Sequence, residues 1–189
     1  MIKNMYIVDA LIPAILFELL KTIFCYVYDK LVQSRIPFTI KGWWCTCHRR
    51  LAMDGTREYC TYELVWLDYR NGCIRMRLYQ LINDGRKYIY KGVGFVRGNK
   101  MVISYEETNK NISNKVGTFN LRITNQLEHE TAFIGDYHEL DRDNKKSTNC
   151  EYKLKKCNIA KASWKWYTPR RLFEEMDKGI FKDECEYEM

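Results

Sequence analysis

The order of apolar and polar residues changes character once along this chain. From Met5 to Tyr28 every position is apolar except Asp9, Pro13, Glu18, Lys21 and Thr22, and a run of that length can cross a bilayer as a helix. On insertion scales its Ile, Leu, Phe and Val residues contribute roughly −6 kcal/mol, while Glu18 and Lys21 near its centre cost about 5 to 7 kcal/mol. A balance near zero leaves two readings: a helix that enters or lies on a membrane, or a helix buried against protein, with Pro13 kinking it. Glu18 and Lys21, three residues apart, can pair on one face, whereas Asp9 falls about 180° around the helix from Glu18. Contacts with lipid or with a second copy of the chain fall on Ile12, Ile15, Leu16, Leu19, Leu20 and Ile23.

Beyond a polar join, the period becomes two. Strands are expected over Phe38–Arg50, Glu58–Tyr69, Cys73–Ile82, Lys87–Arg97, Lys100–Glu107, Lys115–Thr124, Leu127–Leu140 and Asn149–Lys156. Between them stand Met53-Asp54-Gly55, Asn71-Gly72, Asp84-Gly85 and Gly98-Asn99, and tight primed turns need such residues for their positive φ. Sequence neighbours are therefore sheet neighbours. Eight successive antiparallel strands would leave two long edges unless the sheet closes, and eight is a number at which a barrel closes around a filled or singly occupied interior. The expected fold is mainly β: an eight-stranded antiparallel up-and-down barrel with a hydrophobic N-terminal helix and a short C-terminal helix. Three parts follow: the helix in 1–33, the barrel in 38–157, and a C-terminal clasp with an acidic tail in 158–189. In the clasp, Thr168 caps a helix that starts at Pro169 and ends near Lys178, before Gly179.

Composition agrees and narrows the chemistry. With 46% hydrophobic and 29% charged residues, 3 Pro and 10 Gly in 189 residues, disordered and collagen-like classes are excluded. A net charge of +7 favours anionic partners. The excess is concentrated in residues 145–171, and residues 172–189 are acidic, so the two stretches can neutralise each other. The eight Cys are irregularly spaced and follow no cleavable secretory signal, which reads as reduced thiols. Cys45, Cys47 and His48 cluster, but on a strand His48 points away from the two Cys, so no metal site is expected. No His-Glu-x-x-His, paired Cys-x-x-Cys, phosphate loop or Gly-x-Ser-x-Gly motif occurs; no enzyme and no cofactor is expected.

One candidate site lies in the strands. Arg75, Arg77 and Tyr79 share a face opposite Ile74, Met76 and Leu78; Tyr88 and Tyr90 oppose Ile89, Val93 and Phe95; Thr118, Asn120 and Arg122 oppose Phe119, Leu121 and Ile123. These polar faces either meet water or line the interior. If they line it, Arg forks phosphates, aromatic rings stack bases, and Thr118 and Asn120 bond a base or ribose.

Ile40, Lys41, Gly42 and Trp43, then Phe133, Ile134, Gly135, Asp136 and Tyr137, then Tyr152, Lys153 and Leu154 resemble the small calycin-like barrels that open with Gly-x-Trp. With an apolar N-terminal segment the chain resembles, more narrowly, the CD-NTase-associated two-transmembrane β-barrel effectors of bacterial antiphage signalling (CBASS), over roughly residues 5–157. That resemblance implies a barrel that binds a cyclic oligonucleotide, a homo-oligomer, and N-terminal helices acting on the inner membrane, in the bacterial cytoplasm or at the cytoplasmic face of that membrane. This chain departs from the pattern, with one apolar segment where two are expected. Two other classes stay open: a lipocalin-like lipid carrier, whose apolar faces would be inside, and a nucleic-acid-binding module using residues 145–171 with Trp164, Trp166 and Tyr167. Those rings alternatively pack the clasp onto the barrel.

Overall fold

Alternation of period two becomes eight strands: β1 (Gly42–Leu51), β2 (Glu58–Arg70), β3 (Cys73–Ile82), β4 (Lys87–Arg97), β5 (Lys100–Glu107), β6 (Lys115–Asn125), β7 (Thr131–Asp141) and β8 (Lys146–Lys156). The computed structural model describes residues 3–34, 40–51, 58–70, 73–108, 115–125, 131–141, 146–158 and 160–178. Each strand pairs antiparallel with the next, and β8 returns to β1 through Lys156 opposite Trp44 and Lys155 opposite Cys45, closing the barrel. Strands β3, β4 and β5 run over the residues expected. Strand β8 begins three residues earlier than expected, at Lys146. Residues 127–130 of the expected seventh strand, and the turns at Met53-Asp54-Gly55 and Asn71-Gly72, lie outside the described residues. At Asp84-Gly85, Gly85 N donates to Ile82 O at 2.8 Å and Ile82 N to Arg86 O at 2.9 Å, fixing the β3–β4 register.

Most strands turn an apolar face inward; β4 is the reverse, with Tyr88 and Tyr90 inside and Val93 and Phe95 exposed outside. Trp44, Val65, Leu67, Ile74, Met76, Leu78, Met101, Ile103, Phe119, Leu121, Phe133 and Leu154 form one buried cluster with the tyrosines at 69, 88, 90, 105, 137 and 152. Packing this tight needs glycine at Gly135, where an added Cβ would run into the Asn120 carbonyl on β6.

A second cluster lies outside the barrel. After a 3₁₀ turn at Ala162–Trp166, Thr168 Oγ1 accepts from Arg171 N and opens α2 (Pro169–Asp177), with Pro169 in its first turn. Leu172, Phe173 and Met176 pack, with Trp164, onto Trp43, Cys45, Leu64, Tyr79 and Leu81 of β1–β3. Burial of each large apolar side chain contributes about 1.5–3 kcal/mol, so the clasp is held by its amphipathic face. Lys178 is the C-cap, and Gly179 lies outside the described residues.

Helix α1 (Lys3–Ser34) is longer than the apolar run that seeds it, and Pro13 lies within it. Its Leu11–Tyr28 stretch has mean hydropathy 1.7, none of it is buried, and it is long and apolar enough to cross a membrane. The expectation of a helix buried against its own domain is therefore not met. Glu18 and Lys21 do pair, at 3.3 Å.

Candidate functional site: a basic, aromatic groove outside the barrel

The barrel interior is filled. Its polar part is built on Glu63, which accepts from Gln80 Nε2 at 2.6 Å and from Tyr152 Oη at 2.5 Å, while Tyr90 Oη donates to Gln80 Oε1 at 3.3 Å. Nearby, Tyr105 Oη donates to Glu139 at 3.4 Å and Lys115 lies 3.3 Å from the same carboxylate. Burial, and then the negative charge of Glu139 and Glu63, push the Tyr90 hydroxyl well above the ordinary tyrosine range. The residual cavity here is about 10 Å³, the scale of a single water. That cavity is too small for the interior lipid of the carrier reading.

The eight candidate residues do not share a face. Tyr88 and Tyr90 point inward and are buried; Arg75 and Arg77 point outward, as do Tyr79 and, on the far strands, Thr118, Asn120 and Arg122. Of the two arrangements that alternation left open, the structure takes neither throughout: two groups face outward and one pair faces the interior. The reason is desolvation: a guanidinium buried in a barrel costs several kcal/mol unless an acid pairs with it, and Glu63 and Glu139 are already engaged by Gln80, Tyr152, Tyr105 and Lys115, whereas tyrosine rings bury readily once their hydroxyls are bonded. Asn120 and Arg122 flank a depression of about 590 Å³ with Lys100, Val102, Ile134 and Asp136. No aromatic ring lines it.

Arg75, Arg77 and Tyr79 do come together in a groove of about 480 Å³ over β1–β4, joined by Lys41, Trp43, Trp66, Asp68, Arg70, Lys91, Val93, Lys165 and Trp166. Strand register builds it. Trp43 stands opposite Trp66, Trp66 opposite Arg77, and Arg77 opposite Lys91, so one row across four strands reads ring, ring, cation, cation. The Trp43 and Trp66 rings are 5.1 Å apart, and Trp43 Nε1 is a buried donor with no acceptor among the described residues. Asp68 is the groove's acid, held by Lys41 at 3.2 Å and Arg70 at 3.1 Å. Arg75, Arg77 and Lys91 have no ion pair among the described residues. Tyr79 is a wall rather than a free platform, packed at 6.0 Å against Phe173 and 6.4 Å against Trp43. The exposed ring is Trp166, with Lys165 Nζ 4.9 Å from its centroid.

Sequence reasoning missed Trp66 and Lys91 as partners of Arg77. Counting back from the two-residue Asn71-Gly72 connection, which pairs Arg70 with Cys73, puts Trp66 opposite Arg77; that signal was available. Lys165 and Trp166 depend on where the clasp folds back. Of the three rings weighed for a nucleic-acid module, Trp164 is buried in the outer cluster and Tyr167 is packed beside it, which is the clasp arrangement. In the Cys45, Cys47, His48 cluster, Cys45 is buried in the outer cluster and Cys47 Sγ lies 3.2 Å from Cys60 Sγ on β2; the His48 side chain is outside the described residues.

No family model and no curated protein matches this chain. Among solved structures it is similar to one described as "Structure of EF1p2_mFAP2b bound to DFHBI", at 16% identity over 62% of this chain and 94% of that chain, with a TM-score of 0.43.

Proposed function

We propose that this protein is a binding barrel for a small anionic ligand that carries both phosphate and an aromatic base, and that the ligand sits on the outer face of the barrel. The row Trp43, Trp66, Arg77, Lys91 carries this reading. Two like charges directly opposite each other destabilise a sheet, and Arg77 and Lys91 face one another with no ion pair among the described residues, although Glu106 on β5 stands opposite Lys91 on its other side. An anion across them removes that repulsion, and the guanidinium forks a phosphate bidentately. Rings at Trp66 and Trp166 offer π faces to a base, a contact worth about 1–3 kcal/mol. Cyclic nucleotides combine these groups in one compact molecule and agree with the CBASS resemblance, so we assign them as the ligand class, in a receptor whose binding is coupled to self-association or membrane action of α1. Nothing in this reading requires turnover. Lys30, Arg35 and Lys41 follow the apolar stretch, and positive charge after a span favours the cytoplasmic side, which supports a cytoplasmic barrel in this reading.

Calorimetry of the detergent-solubilised full chain against a panel of cyclic di- and trinucleotides tests the proposal. Saturable binding that Arg77→Ala weakens by about 1.5–3 kcal/mol is the expected result. Silence across the panel, or binding indifferent to Arg77, overturns it.

A further inference from the structure

Exposed apolar side chains border the groove, and a soluble nucleotide leaves two of them, Val93 and Phe95, without a role. Val93 is 61% exposed, Phe95 54% and Trp166 79%. Val93 and Trp166 line the groove, and Phe95 stands two residues along β4 on the same outer face. Arg75, Arg77, Lys91 and Lys165 lie among them. Large apolar side chains interspersed with cations compose surfaces that rest on anionic bilayers: the rings and aliphatic groups reach the headgroup level, and the cations meet lipid phosphates.

The chain's own layout brings a membrane close. The apolar stretch of α1 ends at Tyr28, the helix continues to Ser34, and Lys41 is already at the groove. Given helical and extended rises per residue, Tyr28 and Lys41 are no more than about 35 Å apart. A short tether of this kind raises the local concentration of the surface presented to the barrel. The attraction of an anionic bilayer for cations decays within about 8 Å at physiological salt, so only a face in contact benefits. Among the described residues, the groove face joins exposed rings to cations without ion pairs.

We infer that the groove-bearing face of the barrel docks on the anionic surface of the membrane that α1 enters. Lipid phosphates then occupy the groove until a soluble phosphate ligand displaces them. This rests on reading the groove as a phosphate site, and it adds a resident competitor whose release accompanies ligand binding. The exchange is between phosphates; the exposed Val93 and Phe95 side chains stabilise the docked state only, whereas the Trp166 ring serves both states, meeting the headgroup level in one and the base in the other.

The full chain, reconstituted in vesicles of phosphatidylcholine alone or mixed with phosphatidylglycerol, tests this, with flotation showing that the protein is attached in both. Each composition is prepared with brominated phosphatidylcholine, whose bromines quench tryptophan at shallow depth. The Trp166→Phe protein is measured in parallel to isolate the Trp166 signal, since Trp43, Trp44 and Trp164 are buried. The expected result is quenching of Trp166 several-fold greater in phosphatidylglycerol vesicles, abolished by high salt and by the Arg75→Glu/Arg77→Glu double variant. Equal quenching in both compositions, or none in either, overturns the docking. Cyclic dinucleotide binding to the same protein in detergent, where no bilayer competes, is measured separately. Binding there without Trp166 quenching in vesicles defeats docking and leaves the ligand reading standing; quenching that no cyclic dinucleotide relieves and no binding in detergent defeats the ligand reading instead.

Discussion

Lys156 Nζ lies 4.6 Å from the centroid of the Trp44 ring and donates to the Lys41 carbonyl at 3.0 Å. These two residues are also Cα partners in the short β8–β1 ladder that closes the barrel. Trp44 is fully buried and donates from Nε1 to Ile40 O at 2.8 Å, so the ring is held at both its edge and its face. Gly42 belongs to the same closure: its φ is +137°, and a Cβ there would stand 2.7 Å from Lys156 Nζ. Burial lowers the Lys156 pKa from the ordinary lysine value, the direction expected when desolvation opposes the charge.

Lys156→Ala is expected to destabilise the barrel by about 1–3 kcal/mol through loss of the cation–π contact and the hydrogen bond. Trp44→Ala is expected to cost about 3–5 kcal/mol through the cavity it leaves. Urea unfolding followed by circular dichroism measures both. A Lys156→Ala midpoint equal to wild type would show that the β8–β1 closure does not depend on this side chain.

Tyr152→Phe removes the hydroxyl that, with the Gln80 amide, holds the buried Glu63 carboxylate. Because hydrogen bonds to a charged group contribute about 1.5–3 kcal/mol, a loss of that size is expected. In a double-mutant cycle, Tyr152→Phe and Glu63→Gln should be non-additive, since they share one contact. Strict additivity would separate the two groups energetically.

Tyr90 predicts the alkaline limit. Its folded pKa lies above the unfolded value near 10.0, so the folded chain keeps a proton that the unfolded chain loses. The resulting stability is fully present below pH 10 and falls as pH rises beyond it. Tyr90→Phe should flatten this fall while forfeiting the bond to Gln80. Melting curves of both proteins across that range check it, and identical slopes would refute it.

Lys91→Gln separates stability from binding. Lys91 also stands opposite Glu106 on β5, with no ion pair formed between them among the described residues, so removing its charge should relieve the Arg77 repulsion and stabilise the sheet by at most about 0.2–1 kcal/mol, while anion binding in the groove weakens and its salt dependence shrinks. Thermal melts and titrations at two salt concentrations read the two effects. A destabilised Lys91→Gln protein would mean that the Arg77–Lys91 repulsion is not stored in the fold.

The eight strands, their order, the closed barrel, the capped C-terminal helix and the existence of an apolar N-terminal helix were legible in the chain, because each depends on local signals; that this helix is exposed was not, since its insertion balance is near zero. Period two sets strands, Asn-Gly and Asp-Gly set hairpins, Thr168-Pro169 sets a helix start, and closure follows from the cost of open edges. The identity of the inner face was not legible to the same degree. Alternation defines two faces per strand but not which one the closed sheet encloses, and Tyr88 and Tyr90 read as polar although their rings fill the core. Only closure decided it, since an eight-stranded barrel has room for its own side chains, and the interior carboxylates of Glu63 and Glu139 are engaged by Gln80, Tyr152, Tyr105 and Lys115 rather than by arginine. The groove was half legible: Arg75 and Arg77 follow from the alternation of β3, whereas Trp43, Lys91, Lys165 and Trp166 join them through strand register and the fold-back of the clasp. Contacts between residues far apart in the chain carry no local signal, so the placement of Trp166 beside Arg77 belongs to the tertiary structure alone.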